Sequence, residues 1–124
     1  MHSMKTRFEI ASATSTAYRS PFMAVTATLE LYDDEITGSI ELSGLVAGSD
    51  AQSLAQFLRK LTVLPAQRWI LRLNQVNALS LKGLQAILKF AKYVRRRGAV
   101  VVIRQTNPII NNLIQEMDVS CYFK

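Results

Sequence analysis

Alternating apolar and polar positions mark the first clearly patterned stretch of the chain. Apolar residues occupy every second position over residues 23–32, and the pattern resumes over residues 36–42 after the acidic pair Asp33-Asp34. A period of two turns apolar side chains to one face of a strand, and a short polar break between two such runs is typical of a β-hairpin. The pattern therefore predicts a hairpin with one solvated face, whose second strand ends at Gly44.

Residues 68–104 predict a strand, a loop, a helix and a further strand. Alternating apolar residues over positions 69–73 indicate a mostly buried strand. The helix has its apolar stripe at Leu81, Leu84, Leu88, Ala91 and Val94. Ser80 is placed to cap its first turn, and Gly98 to end it in a left-handed conformation. The apolar run 100–103 predicts a strand covered on both faces, parallel to the first and reached by a right-handed crossover.

Two more helices are predicted on either side of this unit. Ser49 and Gln52 have the spacing of a capping box. The helix that follows them has its apolar stripe at Leu54, Phe57, Leu58 and Leu61. Asn107 followed by Pro108 predicts a capped third helix. Its apolar positions are Ile110, Leu113, Ile114 and Met117. Residues 121–123 predict a short final strand.

The elements follow the order β-β-α-β-α-β-α-β, which predicts an α/β fold with a mixed sheet packed by about three helices. The chain has 124 residues, enough for one domain with a single core. We expect that domain over residues 22–124. Residues 1–21 are rich in Ser, Thr and Ala and predict a flexible N-terminal segment, with a short extended piece at residues 8–10.

Composition argues against an enzyme and against a metal or cofactor site. The chain has one histidine, His2, so a histidine-based triad or zinc site is not expected. The acidic residues of the hairpin lie in a turn, where solvated carboxylates are the usual occupants. No glycine-rich phosphate loop is present. Cys121 lies in an apolar setting and is interpreted as an inert buried thiol. No apolar stretch approaches the length of a membrane span.

Three segments, taken in order, resemble the STAS domain, the module shared by sulfate transporters and bacterial anti-sigma-factor antagonists. They are IELSGLV at the end of the second strand, LRLNQVNALSLKGLQAIL across the central strand and helix, and RRRGAVVVI followed by NPIINNLIQEMDV. The resemblance covers roughly residues 23–124. It implies a non-catalytic, regulatory protein-interaction module in the bacterial cytoplasm, without a cofactor. The partner that it implies is an ATP-binding, kinase-like regulator.

The chain departs from this family where switching members are phosphorylated. The family has Asp-Ser-Ser/Thr-Gly at the start of the helix, whereas this chain has Ser80-Leu81-Lys82-Gly83. The resemblance places the phosphorylated hydroxyl just before the glycine, at Lys82, which has no hydroxyl. The usual switch is therefore not expected. Ser80 is interpreted as a helix cap, and its phosphorylation is the alternative. Ala47 and Gly48 lie where many members carry an acidic residue.

The family resemblance also implies a docking face. Carried over by position, the partner-binding residues are Asn77, Leu79, Ser80, Leu81, Lys82 and Gly83. Lys82 would favour an acidic partner surface.

An alternative function is an anion-binding module that uses its basic helix face for nucleic acid or a membrane surface, suggested by the net charge of +6. That face consists of Lys82, Lys89, Lys92, Arg95, Arg96 and Arg97. Basic residues near a helix C-terminus are also favourable through the dipole alone, and aromatic residues for stacking are sparse, so this alternative ranks second. A homodimer formed through an exposed edge of the hairpin is a further hypothesis.

Overall fold

Six strands and three α-helices are present in the computed structural model of the protein, which describes residues 5–6 and 15–123. The strands are β1 (Lys5–Thr6), β2 (Ser15–Arg19), β3 (Met23–Tyr32), β4 (Glu35–Val46), β5 (Arg68–Leu79) and β6 (Val100–Gln105). The helices are α1 (Ser49–Leu61), α2 (Leu81–Arg96) and α3 (Pro108–Glu116), and a 3-10 helix follows at Ser120–Tyr122. The α/β fold with a mixed sheet is therefore confirmed.

The sheet is antiparallel on one side of β4 and parallel on the other. β3 and β4 form the predicted hairpin, and β5 and β6 are the predicted parallel neighbours. β4 also pairs in parallel with β5, because α1 returns the chain to the starting edge of the sheet. Consequently β4 and β5 end side by side, and the helices α1 and α2 each begin at that edge.

The hairpin turn has two residues, Asp33 and Asp34, with φ of 52° and 67°. Two positive φ values give a turn whose twist matches the strands, and aspartate tolerates that conformation better than most residues.

The second strand continues to Val46, so the prediction that it ends at Gly44 was wrong. Gly44 has a φ of 93°, and a Cβ added there would clash with the carbonyl oxygen of Phe22. The glycine therefore permits a register shift inside the strand.

The N-terminal segment contributes a strand that the sequence did not predict. β2 pairs with residues 24–28 of β3, and β1 pairs with residues 31–32, so both cover the outer edge of the hairpin. The exposed hairpin edge invoked for a homodimer is thus occupied. Asp50 of α1 is buried and accepts hydrogen bonds from Tyr18 Oη at 3.2 Å and Ser20 Oγ at 2.8 Å. These hydrogen bonds connect β2 and the residue that follows it to α1. The extended piece predicted at residues 8–10 lies outside the described residues.

One apolar cluster joins the sheet to the helices. The predicted α1 stripe of Leu54, Phe57, Leu58 and Leu61 is buried. The capping box at Ser49 and Gln52 was wrong, because Gly48 is the N-cap and no side chain caps this helix. Gly48 takes the non-helical position at a φ of 58°, so Ser49 already belongs to the first turn.

The predicted boundaries of α2 are confirmed by its hydrogen bonds. Ser80 Oγ accepts from the backbone N–H of Gly83 at 3.1 Å. At the other end Gly98 has a φ of 91°, and the N–H groups of Gly98 and Ala99 donate to the carbonyls of Arg95 and Val94. Leu84, Ala91 and Val94 are buried as predicted, but Leu81 is 54% exposed. Its place in the buried stripe was wrong, because the first turn of α2 reaches the sheet through Gly83 instead.

Gly83 determines how closely α2 approaches the sheet. A Cβ added there would lie 2.7 Å from Leu79 Cδ1 and 2.9 Å from Val46 Cγ1. Both distances are shorter than a van der Waals contact, so a side chain at this position would force Leu79 and Val46 to shift. The backbone N–H of Ser80 also donates to the carbonyl of Val46 at 2.9 Å. The start of α2 is thus held against the ends of β4 and β5.

Asn107 holds α3 against the same strand. Its Oδ1 accepts from the N–H of Ile110 at 3.0 Å, which confirms the predicted cap. Its Nδ2 donates to the carbonyls of Asn74 at 3.1 Å and Val76 at 3.0 Å. These carbonyls lie in residues 74–79, which were predicted as a loop. That prediction was wrong, because the segment remains in β5 through an irregular register with β4.

The C-terminal part of the chain differs from the predictions in four details. β6 ends the strand order within the described residues, and only Val101 of this strand is buried, so the prediction of two covered faces was wrong. Residues 120–122 form a 3-10 helix where a strand was predicted. Cys121 in that turn is exposed, which corrects its interpretation as a buried thiol. Met117 is also exposed, because it caps the end of α3.

We expect Gly83→Ala to destabilise the domain although alanine favours helices. Overpacking typically costs about 1–3 kcal/mol. The helix propensity of alanine offsets about 1 kcal/mol of that cost. Chemical denaturation should therefore show a lower free energy of unfolding than in the parent protein. Gln85→Ala, at an exposed position of the same helix, should stay within about 0.5 kcal/mol. A Gly83→Ala variant more stable than the parent by about 1 kcal/mol, the gain expected from helix propensity alone, would contradict the close packing.

We expect Asp50→Ala to loosen the N-terminal strand. The substitution leaves the hydroxyls of Tyr18 and Ser20 without their acceptor, a loss of about 1–3 kcal/mol. Hydrogen–deuterium exchange should become faster in residues 15–19. The control is Gln52→Ala, at an exposed position of the same helix, which should leave the exchange unchanged. Unaltered exchange in the Asp50 variant would show that backbone pairing with β3 alone retains β2.

Candidate functional site

The candidate site is the edge of the sheet at which β4 and β5 end. Val46 and Leu79 are register partners there, one residue before the β5 chain turns into α2. All six residues proposed for partner binding lie along this turn or at the end of β5. They all lie within residues 77–83, so their proximity follows from the sequence itself.

Those six residues divide into exposed and packed groups. Asn77, Leu81 and Lys82 are exposed, whereas Leu79 and Ser80 are partly buried and Gly83 is buried. Ser80 and Gly83 are joined by the capping hydrogen bond, and Leu79 packs against the core. The packed residues thus hold the turn, and Leu81 and Lys82 present side chains to solvent. Asn77 projects from the end of β5, not from the loop that was predicted.

Two exposed apolar residues border this turn and were missed at the sequence level. Leu45 is 42% exposed and pairs with Ala78, while Phe22 is 66% exposed. The backbone N–H of Leu45 donates to the carbonyl of Phe22 at 2.8 Å, so the two residues are adjacent. Together with Leu81 they place three exposed apolar side chains at one end of the sheet. We call Phe22, Leu45 and Leu81 the apolar triad.

The alternation of inward and outward positions along β4 could have identified Leu45 as an exposed apolar residue from the sequence. Ile40, Leu42 and Val46 occupy inward positions of this strand, so Leu45 falls at an outward one. A large apolar residue at an outward position is a candidate contact residue. Phe22 had no such signal, because its neighbour in space comes from a strand more than twenty residues away in sequence.

The charge of the site is positive. Lys82 is the only charged residue in the segment 77–83, and α2 has no acidic residue in its first turn. On the other side of the edge, Ala47 and Gly48 are uncharged, and the buried carboxyl of Asp50 is bonded to Tyr18 and Ser20. A helix N-terminus is itself electropositive, so Lys82 adds to the field of the backbone amides. The turn that begins α2 is therefore electropositive.

Within residues 77–83 the only charged side chain is that of Lys82. Among the described residues, no three His, Cys, Asp or Glu side chains come together in a way that could hold a metal ion. None of the described helices has the length and apolar character needed to cross a membrane. What the edge of the sheet offers is an exposed apolar surface beside a fixed cation, which is chemistry suited to binding.

Comparison with solved structures gives the same fold. The anti-sigma factor antagonist SpoIIAA in its unphosphorylated form matches with a TM-score of 0.64 and 12% identity, over 79% of this chain and 85% of that one. The phosphorylated form of SpoIIAA, a Bacillus cell fate determinant, gives a TM-score of 0.60 and 12% identity, over 79% and 88%. An anti-sigma factor antagonist from Mycobacterium paratuberculosis gives 0.62 and 20%, over 80% and 82%.

At these identities the structural matches establish the fold and nothing more. No curated protein sequence matches the chain. The family follows from a different comparison, because the family model for the STAS domain matches residues 28–124. This range begins within β3 and includes β4, β5 and all three α-helices, together with the edge that carries Leu81 and Lys82. The chain therefore belongs to the STAS domain family.

Proposed function

We propose that this STAS domain is a non-catalytic regulatory module that docks a protein partner on the turn that begins α2. The observation that carries the proposal is the exposure of Leu81 and Lys82 on a turn that is otherwise held rigidly by Ser80 and Gly83. The resemblance of the chain to anti-sigma factor antagonists supports a regulatory role. It also favours an ATP-binding, kinase-like regulator as the partner and the cytoplasm as the location.

The apolar triad supports docking of a protein rather than a small molecule. Protein interfaces combine an apolar centre with a polar rim. Phe22, Leu45 and Leu81 are exposed and come from three different segments at this end of the sheet, where Asn77 and Lys82 are also exposed. The surface lies at the ends of strands and does not form an enclosed cavity. Such a surface suits another folded surface better than a small ligand.

We further propose that binding does not depend on the family's usual phosphoswitch. SpoIIAA has been solved in unphosphorylated and phosphorylated forms. In switching members the modified hydroxyl precedes the glycine, where this chain has Lys82. A lysine keeps one charge at all physiological pH values, whereas a hydroxyl alternates between neutral and strongly negative forms. The docking surface would therefore be constitutively positive and would select an acidic partner surface.

We expect substitutions at the exposed turn to prevent capture of the partner without unfolding the domain. Lys82→Glu should reduce capture of an ATP-binding regulatory protein from native cells about tenfold or more, because it reverses the charge offered to an acidic surface. Leu81→Ala should have a similar effect through lost apolar contact. Mass spectrometry of the captured proteins, followed by titration with the purified partner, provides the measurement.

Two control variants separate this site from general surface effects. Val63→Ala removes an apolar side chain that is 75% exposed in the segment between α1 and β5. Lys60→Glu reverses an exposed charge near the end of α1. Both should capture the partner as the parent chain does. Equal capture by the turn variants and the parent would overturn the proposed docking face.

We expect Ser80 to act as a cap and to remain unmodified. Ser80→Ala should lower the free energy of unfolding by about 1 kcal/mol, while Ser80→Asp, which keeps an acceptor at this position, should retain most of the stability. The intact mass of the chain purified from native cells should show no added phosphoryl group during growth or stress. A substantial phosphorylated fraction at Ser80 in any condition would contradict the constitutive model.

A further inference from the structure

The positive charge of the chain is concentrated on two helices. α1 and α2, with the cap residue Arg97, carry eight of the 15 basic residues and a single acidic one, Asp50, which is buried. The other seven basic residues are matched by the other eight acidic ones. The rest of the sequence is therefore nearly neutral, and the excess positive charge belongs to α1, α2 and Arg97.

α1 and α2 pack side by side and leave a groove between them. It consists of two adjoining depressions of about 520 and 650 Å³, which share Ala55, Ala86, Lys89 and Lys92. Ala55 and Ala86 are small, and Leu58 and Phe90 extend the apolar lining at one end. The cations that line it are Arg59, Lys82, Lys89, Lys92 and Arg96. No carboxyl group lines the groove in the part of the chain that the structure describes. We call this feature the α1–α2 groove.

We propose that the α1–α2 groove binds an acidic amphipathic helix of a protein partner. A concave channel with a small-residue floor accepts the apolar side of a helix, as grooves that bind helices do. The flanking cations would meet Asp and Glu on the two borders of that apolar side. Since α1 has 13 residues and a helix rises about 1.5 Å per residue, the groove is about 20 Å long. It matches a partner helix of about four turns.

The same geometry disfavours the other anionic partners. A nucleic-acid backbone has no apolar side to place on Ala55 and Ala86, and base stacking would need exposed aromatic rings. Tyr93 is the exposed aromatic residue of the groove, and Arg97 lies over its ring at 5.8 Å from the centroid. A flat bilayer cannot reach an apolar floor that lies below the surrounding cations. An acidic amphipathic helix can place its apolar side on Ala55 and Ala86 and its carboxylates beside the cations of the groove.

This inference rests on the proposed function, because Lys82 belongs both to the docking turn and to one end of the groove. The partner would thus contact the apolar triad with one part of its surface and lay a helix along the groove with another. The two contacts can be tested separately. Capture with the Leu81 variant tests the turn, because Leu81 does not line the groove, and an isolated peptide tests the groove.

The test uses the full chain and a fluorescent synthetic peptide of about 16 residues, which matches the groove length. The peptide combines Leu and Ala at helical spacing with Glu on both borders. A second peptide has the same composition in scrambled order. Fluorescence anisotropy would measure affinity at low and at physiological ionic strength. A DNA duplex of about 20 base pairs and phosphatidylglycerol–phosphatidylcholine vesicles serve as competing anions.

Charge-matched double variants identify the binding surface. Arg59→Glu with Lys89→Glu reverses two cations that line the groove, and Lys60→Glu with Arg95→Glu reverses two on the same helices that do not. We expect the first pair to raise the Kd of the amphipathic peptide about tenfold or more. The second pair should raise it less than about threefold, because salt screens charges that do not touch the peptide. Circular dichroism would establish that both variants are folded.

Each outcome decides for or against the groove. A preference for the ordered peptide over the scrambled one, lost only in the groove variant, supports the proposal. Equal binding of the two peptides, or equal loss in the two double variants, would mean that the helices attract anions only through net charge. Tighter binding of the DNA or the vesicles than of the peptide would overturn the acidic-helix partner. None of these results alters the capture experiment on the docking turn.

Discussion

The close approach of α2 to the ends of two parallel strands is the constraint on which the site depends. Gly83 leaves no room for a side chain between the helix and Val46, and the Ser80 N–H closes the turn onto the Val46 carbonyl. Ser80 and Gly83 therefore face inward. Leu81 and Lys82, which lie between them in sequence, cannot share that position and are directed to solvent. The packing of two residues thus decides the exposure of the other two.

This constraint links the fold to binding. Because α1 makes β4 and β5 parallel, both strands end at one edge, and the turn that begins α2 meets the bulged end of β4. Gly44 adjusts the register there and brings Leu45 beside Phe22. Two exposed apolar residues therefore lie together at the end of the sheet where the turn with Leu81 and Lys82 begins α2. Within the STAS family a modifiable hydroxyl can occupy the place of Lys82, so replacing it with lysine converts a switched surface into a permanent one under our proposal.

Three segments differ from their predictions because strand pairing and hydrogen bonds that the apolar pattern does not show determine their structure. β2 was missed because its residues lack a clear period of two, and its position depends on pairing with β3 and on hydrogen bonds to Asp50 in α1. Residues 74–79 were predicted as a loop because their apolar alternation is broken, but neighbouring β4 and the amide of Asn107 keep them in the sheet. Cys121 was assigned to the interior from its apolar neighbours, although the chain is in a 3-10 turn there. For β2 and for residues 74–79 contacts distant in sequence determined the result, whereas the turn at Cys121 is formed by hydrogen bonds within residues 119–123.

The sequence by itself determined the hairpin, the three helices, the caps at Ser80 and Asn107 and the absence of a hydroxyl at Lys82. These features depend on periodicity, on capping chemistry within a few residues, or on residue identity. Only the tertiary structure decided that Leu45 adjoins Phe22, that the cations of α1 and α2 share one groove, and that Asp50 is buried. Those facts depend on how segments far apart in the chain pack together, and neither hydrophobic pattern nor charge count contains that information.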